Sequence, residues 1–176
     1  MLILECLFDL KSKQGDVDYA FLHAYLSDEE TVYVHMPQGF TKYDRKGRAK
    51  VLKPKQCLYG LKNNPRRFWK FMVEKLELCG LNQSKLDPCL FIEDTIIAVT
   101  YADDLLLWST EDKYMIVLGQ LLNKASVDIE DDNDTTGFLG VKLTKTPKGS
   151  ITMTQEGLMG QIIETMGLDL AHGTPK

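Results

Sequence analysis

The sequence predicts an α+β fold built on an antiparallel sheet. Short strand-like and helix-like segments mix along the chain, without the regular alternation that a parallel sheet requires. Two apolar runs, Thr95–Thr100 and Leu105–Trp108, flank a polar break at Tyr101-Ala102-Asp103-Asp104, the pattern of two strands joined by a tight turn. Phe68, Trp69, Met72, Val73 and Leu76 recur at three- and four-residue steps, the pattern of a helix with one buried face. With 176 residues and 44% hydrophobic content, the chain is long enough for one domain. Chains near this size bury about 70% of their unfolded surface.

The elements follow in order. Residues 2–10 read as a helix; they carry Glu5 and Asp9 and no basic start, which excludes a signal peptide. Residues 12–17 read as a strand that ends in Gln14-Gly15-Asp16-Val17. Residues 18–26 read as a short helix, with apolar positions at Ala20, Phe21, Ala24 and Tyr25. Strands are expected at 31–35 and 49–53, then a helix over 65–79 that Asn64 and Pro65 would start. Strands at 89–93, 95–101 and 104–109 precede a helix at 111–124. Asp128, Glu130, Asp131, Asp132 and Asp134 crowd into seven residues and read as a solvated surface loop. Strands at 138–145 and 150–154 are joined by a turn at Pro147-Lys148-Gly149-Ser150, and a helix at 155–166 closes the series. There are no internal repeats, and no apolar run approaches the length of a membrane-spanning helix.

Charge is unevenly placed. The net charge of −4 by itself argues against a nucleic-acid binder. Residues 41–75, however, hold twelve Lys or Arg against Asp44 and Glu74. A phosphate backbone would find such a segment, with steep salt dependence; the plainer alternative is a solvated basic face. The four cysteines have no paired spacing and the three histidines are scattered, so no zinc-binding pattern is present. Reduced, buried cysteines fit an intracellular protein.

Chemistry concentrates at Tyr101-Ala102-Asp103-Asp104. Two adjacent aspartates in one tight turn repel each other unless a cation shares the site. Hard divalent ions with oxygen ligands answer that need, and phosphoryl transfer by two metal ions is the chemistry it suggests. The alternative is a polar hairpin turn, since Asp favours turns. Asp16 would be a third carboxylate, 87 positions before Asp103, so only folding brings the two together. Asp16 or Asp18 could equally cap a helix. Gly60 permits close backbone approach to a ligand.

Taken together, these segments resemble the reverse transcriptase of copia-type LTR retrotransposons, over nearly the whole chain. Residues 14–22 look like that family's first catalytic motif, and residues 32–40 (Val-Tyr-Val-His-Met-Pro-Gln-Gly-Phe) like the segment that follows it. Residues 58–69 resemble the second motif, with Asn63 where the family usually has Gln. Tyr101-Ala102-Asp103-Asp104 is similar to the third, with Ala102 where Val is usual. Phe138-Leu139-Gly140-Val141 and Thr154-Gln155 look like the segment after the palm.

The resemblance implies a polymerase palm: an antiparallel sheet with helices packed on one face and carboxylates at one edge, with fingers and thumb incomplete. It implies that residues 1–176 are one partial, palm-centred domain, without N-terminal fingers or C-terminal RNase H. Asp16, Asp103 and Asp104 would be catalytic and, with the Val17 carbonyl, would hold two Mg²⁺ ions, for which Mn²⁺ could substitute. Phe21 would exclude a 2′-hydroxyl, or pack as core. Phe21, Tyr59, Gly60, Tyr101 and Ala102 would line the nucleotide site. Lys62, Arg66, Arg67 and Lys70 would contact nucleic acid. Lys124 is the nearest candidate for a general acid. The implied partners are an RNA or DNA template with its primer, a dNTP and the rest of a Gag-Pol type polyprotein, with no membrane. Two other readings stand beside it: a truncated retroelement remnant that at most binds nucleic acid, and an unrelated α+β binding domain.

Overall fold

A computed structural model describes residues 1–26, 31–127, 129–132, 140–146 and 149–167. The described elements run α1 (Leu2–Phe8), β1 (Lys11–Val17), α2 (Ala20–His23), β2 (Val34–His35), β3 (Val51–Leu52), α3 (Asn64–Leu78) and β4 (Asn82–Gln83). They continue with β5 (Leu90–Ile92), β6 (Ile96–Tyr101), β7 (Asp104–Ser109), α4 (Asp112–Lys124), β8 (Ile129–Asp132), β9 (Lys142–Lys145), β10 (Ile151–Thr154) and α5 (Glu156–Thr165). A six-stranded sheet has the order β4-β5-β6-β7-β1-β8, and every pairing in it is antiparallel. The pairs β9–β10 and β2–β3 form two small antiparallel sheets. The α+β class and the antiparallel sheet are as expected.

Burial on β7 explains why the sheet is stable. Leu105 through Ser109 are all buried, so both faces of this strand are covered. Leu105 and Leu107 join a core with Val17, Ala98, Phe91, α3 residues Phe68, Met72 and Leu76, and α4 residues Met115, Leu118 and Leu122. The buried residues of α3 step by four along one stripe, as amphipathic packing requires. Trp69 departs from the expectation for this face, being 36% exposed.

The opposite face carries Leu106 and Trp108, and α1 covers it. The Trp108 indole Nε1 donates to the Glu5 carboxylate at 2.8 Å, and Ser12 Oγ donates to its other oxygen at 3.1 Å. Glu5 is buried, and these donors offset the cost of taking a carboxylate out of water. Helices therefore lie on both faces, α3 and α4 on one and α1 on the other, rather than on one alone.

Two expectations change on particular residues. The helix at 18–26 shrinks to four residues. Tyr19 adopts a left-handed conformation, and Ala24 is extended. The backbone beyond is taken by a neighbouring segment: Leu26 N–H donates to the Lys55 carbonyl at 2.9 Å, and Cys57 N–H to that of Ala24 at 2.9 Å. Tertiary pairing outcompetes the last helical turn. The acidic run, expected as a loop, supplies β8, which hydrogen-bonds to β1. Asp and Glu are poor strand formers, but charge suits a sheet edge, and β1 has a second row of backbone groups to satisfy. Asp128 and Asp134 lie outside the described residues, as do residues 138 and 139 of the expected strand at 138–145.

The two leucines near the end of α3 give a controlled test of this packing. Leu76 is fully buried and Leu78 is 70% exposed. Leu76→Ala should lower unfolding stability by about 2–5 kcal/mol, and Leu78→Ala by less than about 0.5 kcal/mol. Urea unfolding with an unchanged m-value checks both.

Candidate active site

The turn between β6 and β7 places its acids by register. Tyr101 pairs with Asp104, so Ala102 and Asp103 alone form the loop. Ala102 takes φ of +51°, a left-handed conformation that costs a non-glycine residue about 1–2 kcal/mol. On the other side of β7, Asp16 is the register partner of Asp104. Partners across an antiparallel pair project to the same face, so the two carboxylates share one side of the sheet. The Val17 N–H donates to the Asp103 carbonyl at 3.0 Å, which ties the end of β1 to the turn. Folding thus gathers Asp16, Val17, Ala102, Asp103 and Asp104 at one sheet end.

The electrostatics follow from that gathering. Asp16 and Asp103 are exposed, while Asp104 is half-buried. Burial pushes the Asp104 carboxyl above the usual carboxylate range, and the negative charges of Asp103 and Asp16 push it further. Gln14, two residues before Asp16 on the same strand face, donates from Nε2 to Asp104 Oδ1 at 3.5 Å and partly opposes the rise. Gln14 was not among the expected site residues; its period-two spacing from Asp16 is the signal that could have found it. Its Oε1 is buried without a hydrogen-bond partner among the described residues.

No group of three His, Cys, Asp or Glu among the described residues is gathered into a ready metal-binding set. The donor chemistry nevertheless fits a hard divalent cation. The acids are oxygen donors, two of them are register partners, and Asp104 feels the surplus charge of both neighbours. Asp16, Asp103 and Asp104 are the side chains that could hold such an ion.

The other expected residues divide. Phe21 on α2 is held edge-on by Tyr59, with ring centroids 4.8 Å apart, and by Phe68 at 5.9 Å. Phe21 is half-buried against the core, as the packing reading expects, and Tyr59 is 59% exposed. Gly60 takes φ of +90°, a conformation open to glycine at little cost. Tyr101 is exposed at the end of β6. Lys62, Arg66 and Lys70 are exposed around the start of α3, whereas Arg67 is half-buried and donates from Nη1 to the Tyr25 carbonyl at 3.4 Å. Asn64 Nδ2 donates to the Leu58 carbonyl, fixing the loop that carries Tyr59 and Gly60 to the helix start. Lys124 is exposed in the last turn of α4.

Comparison with known proteins adds an independent observation. The family described as "Reverse transcriptase (RNA-dependent DNA polymerase)" matches residues 7–175. The chain is 28% identical over 174 residues to "Retrovirus-related Pol polyprotein from transposon TNT 1-94" of Nicotiana tabacum, covering 96% of this chain and 13% of that protein. It is 31% identical over 142 residues to the corresponding polyprotein from transposon RE1 of Arabidopsis thaliana, covering 78% of this chain and 9% of that protein. For transposon RE2 of the same plant the identity is 30% over 143 residues, with the same coverages. The chain thus spans 13% or less of the length of these relatives.

The raised Asp104 carboxyl has a consequence for stability. At pH values between its ordinary and its raised pKa, the folded chain holds more protons there than the unfolded chain. Stability from this group therefore falls as pH rises through that window. Asp104→Asn removes the ionisation, so its thermal midpoint relative to wild type should be higher at pH 7 than at pH 3. A difference that is the same at both pH values, in paired thermal melts, would show that the carboxylate is not under strain.

Proposed function

Since the chain belongs to the reverse transcriptase family, in its copia-type branch, we propose that Asp16, Asp103 and Asp104 form the active site of an RNA-directed DNA polymerase. The observation that supports this most is the register of β1 against β7, which sets Asp16 opposite Asp104 beside the turn that carries Asp103. The sheet would be the palm of that polymerase. The reaction is nucleotidyl transfer: the primer 3′-hydroxyl attacks the α-phosphorus of a dNTP, and pyrophosphate leaves.

Asp16 and Asp103 would hold two Mg²⁺ ions, with Asp104 supporting the site and the Val17 carbonyl completing one ligand set. Bound divalent ions supply a lowered pKa for the attacking hydroxyl and neutralise charge on the triphosphate and leaving group. The chain's own residues do the positioning. The Val17–Asp103 backbone bond keeps the two acid-bearing segments in register. Phe21, braced by Tyr59 and Phe68, would present a fixed ring to the sugar of the incoming nucleotide and refuse a 2′-hydroxyl. Tyr59, Gly60, Tyr101 and Ala102 would line the same nucleotide site. Lys62, Arg66 and Lys70 would meet the phosphate backbone of the primer–template. The partners on this reading are an RNA or DNA template, its primer, a dNTP and the remainder of a Gag-Pol type polyprotein.

The second reading is a piece of a retroelement that binds nucleic acid without polymerising.

Primer extension on an RNA template with Mg²⁺ or Mn²⁺ separates the two. The 176-residue chain should extend the primer, and Asp103→Asn should reduce the rate by about 10²–10³-fold or more, the cost of losing one electrostatic stabiliser in an active site. A folded wild-type chain that gives no extension would establish the second reading.

The Phe21 assignment has its own outcome. Phe21→Val should raise kcat/KM for ribonucleotides relative to deoxyribonucleotides by on the order of 10- to 100-fold. An unchanged ratio in a variant that still extends primers would leave Phe21 as a core residue only.

A further inference from the structure

Residues 31–56 form an arm that the active-site assignment leaves unused. Its root is bound to the body beside α2: Tyr25 pairs with Gln56, and Leu26 N–H donates to the Lys55 carbonyl at 2.9 Å. The strands β2 and β3 continue it, with Val34 opposite Leu52. Beyond them Tyr43 pairs with Ala49 around a turn. The arm thus leaves the body between the element that carries Phe21 and the loop that carries Tyr59.

The turn is pre-formed by Asp44. Its Oδ1 accepts from the backbone N–H of Lys46 at 2.8 Å and of Arg48 at 2.9 Å, and its Oδ2 accepts from Arg48 Nε at 2.8 Å. The single acid of residues 31–56 is thereby occupied within the arm, against seven Lys or Arg. Lys42, Arg45, Lys46, Lys50 and Lys53 are all exposed. Asp28, Glu29 and Glu30 precede the arm and lie outside the described residues.

Aromatic rings sit among these cations. Tyr33 is 62% exposed, Phe40 70% and Tyr43 64%. A turn through Gly39, with φ of +87° and the Phe40 N–H donating to the Pro37 carbonyl at 3.0 Å, holds the chain where it presents Phe40. Exposing three large rings costs hydrophobic free energy that the arm recovers nowhere in itself. Cations alone would suit any polyanion. Rings interleaved with cations suit a strand whose bases are unstacked and free to lie on them.

We propose that the arm binds single-stranded nucleic acid, with Tyr33, Phe40 and Tyr43 as stacking surfaces for bases and the lysines and arginines as contacts for its phosphates. Combined with the polymerase reading, on which this part rests, the strand is the unpaired template ahead of the site.

Binding tests the proposal without turnover. The full chain is titrated into a labelled, unstructured RNA and into a blunt RNA duplex of equal length, read by fluorescence anisotropy at several salt concentrations. Phe40→Ala with Tyr43→Ala should weaken single-strand binding by about tenfold or more, leave duplex binding within twofold and leave the salt slope unchanged. Lys42→Gln with Lys46→Gln should flatten the single-strand salt slope by about 1.4 and weaken both ligands. Phe40→Trp with Tyr43→Phe should keep full single-strand affinity. Unchanged thermal midpoints confirm folding, since both rings are exposed.

Equal loss on both ligands, or no loss, overturns the proposal. So does a fall in self-association of the ring variant in sedimentation, which would make the arm a contact between protein chains. Asp103→Asn should abolish extension and keep ring-dependent binding. Ring-dependent binding in a chain that never extends a primer would sink the polymerase reading alone; extension with ring-independent binding would sink the arm alone.

Discussion

The register of β1 against β7 is the constraint on which the rest depends. Strand side chains alternate, so a slip of one residue would turn every side chain to the other face. On β7 such a slip is unaffordable in either direction. Leu105 and Leu107 fill the core under α3 and α4, while Leu106 and Trp108 are buried on the far side, where Glu5 holds the indole. Each face has its own partner, and neither accepts the other's residues. Asp104 cannot move away from Asp16 without undoing both.

That constraint makes an unfavourable cluster durable. Three carboxylates at one sheet end repel, and Ala102 adds backbone strain in the turn between two strands. Neither persists in a short peptide. Here the surrounding burial over-determines them, and strain held this way is found most often at functional sites. The same economy places Phe21. Its ring is pinned edge-on between a core phenylalanine and an exposed tyrosine, so the residue proposed for nucleotide selection is also a packing residue.

Much of this was legible in the sequence where local pattern and tertiary fate agree. The β6–β7 hairpin and α3 follow from pattern because residues such as Leu105, Leu107, Phe68, Met72 and Leu76 are both apolar and buried. Legibility fails where partners are distant. Nothing in the acidic composition of residues 129–132 signals a strand, because the demand for it comes from the open edge of β1. Nothing around Glu5 says that a carboxylate in an apolar helix will face inward; its partner Trp108 lies 103 residues away. The truncation of α2 has the same origin, since the competing hydrogen bonds come from residues 55–57. The three aspartates were legible as residue types in motifs, but the shared face of Asp16 and Asp104, beside the turn that carries Asp103, required the register.

The interior position of β1, between β7 and the edge strand β8, also governs how the chain comes into being. It precedes the other described strands in the chain, yet its neighbours in the sheet are β7 and β8, which end at residues 109 and 132. On a ribosome, β1 waits with both edges unpaired until most of the chain has emerged. Such non-local pairing is slow, because loop closure must precede any reward from contact. A nascent or cleaved product ending after β7 would carry the hairpin and the aspartates but leave one edge of β1 open to strands of other molecules. The acidic centre is thus assembled by β7, and the other edge of β1 is closed only later, by the docking of β8.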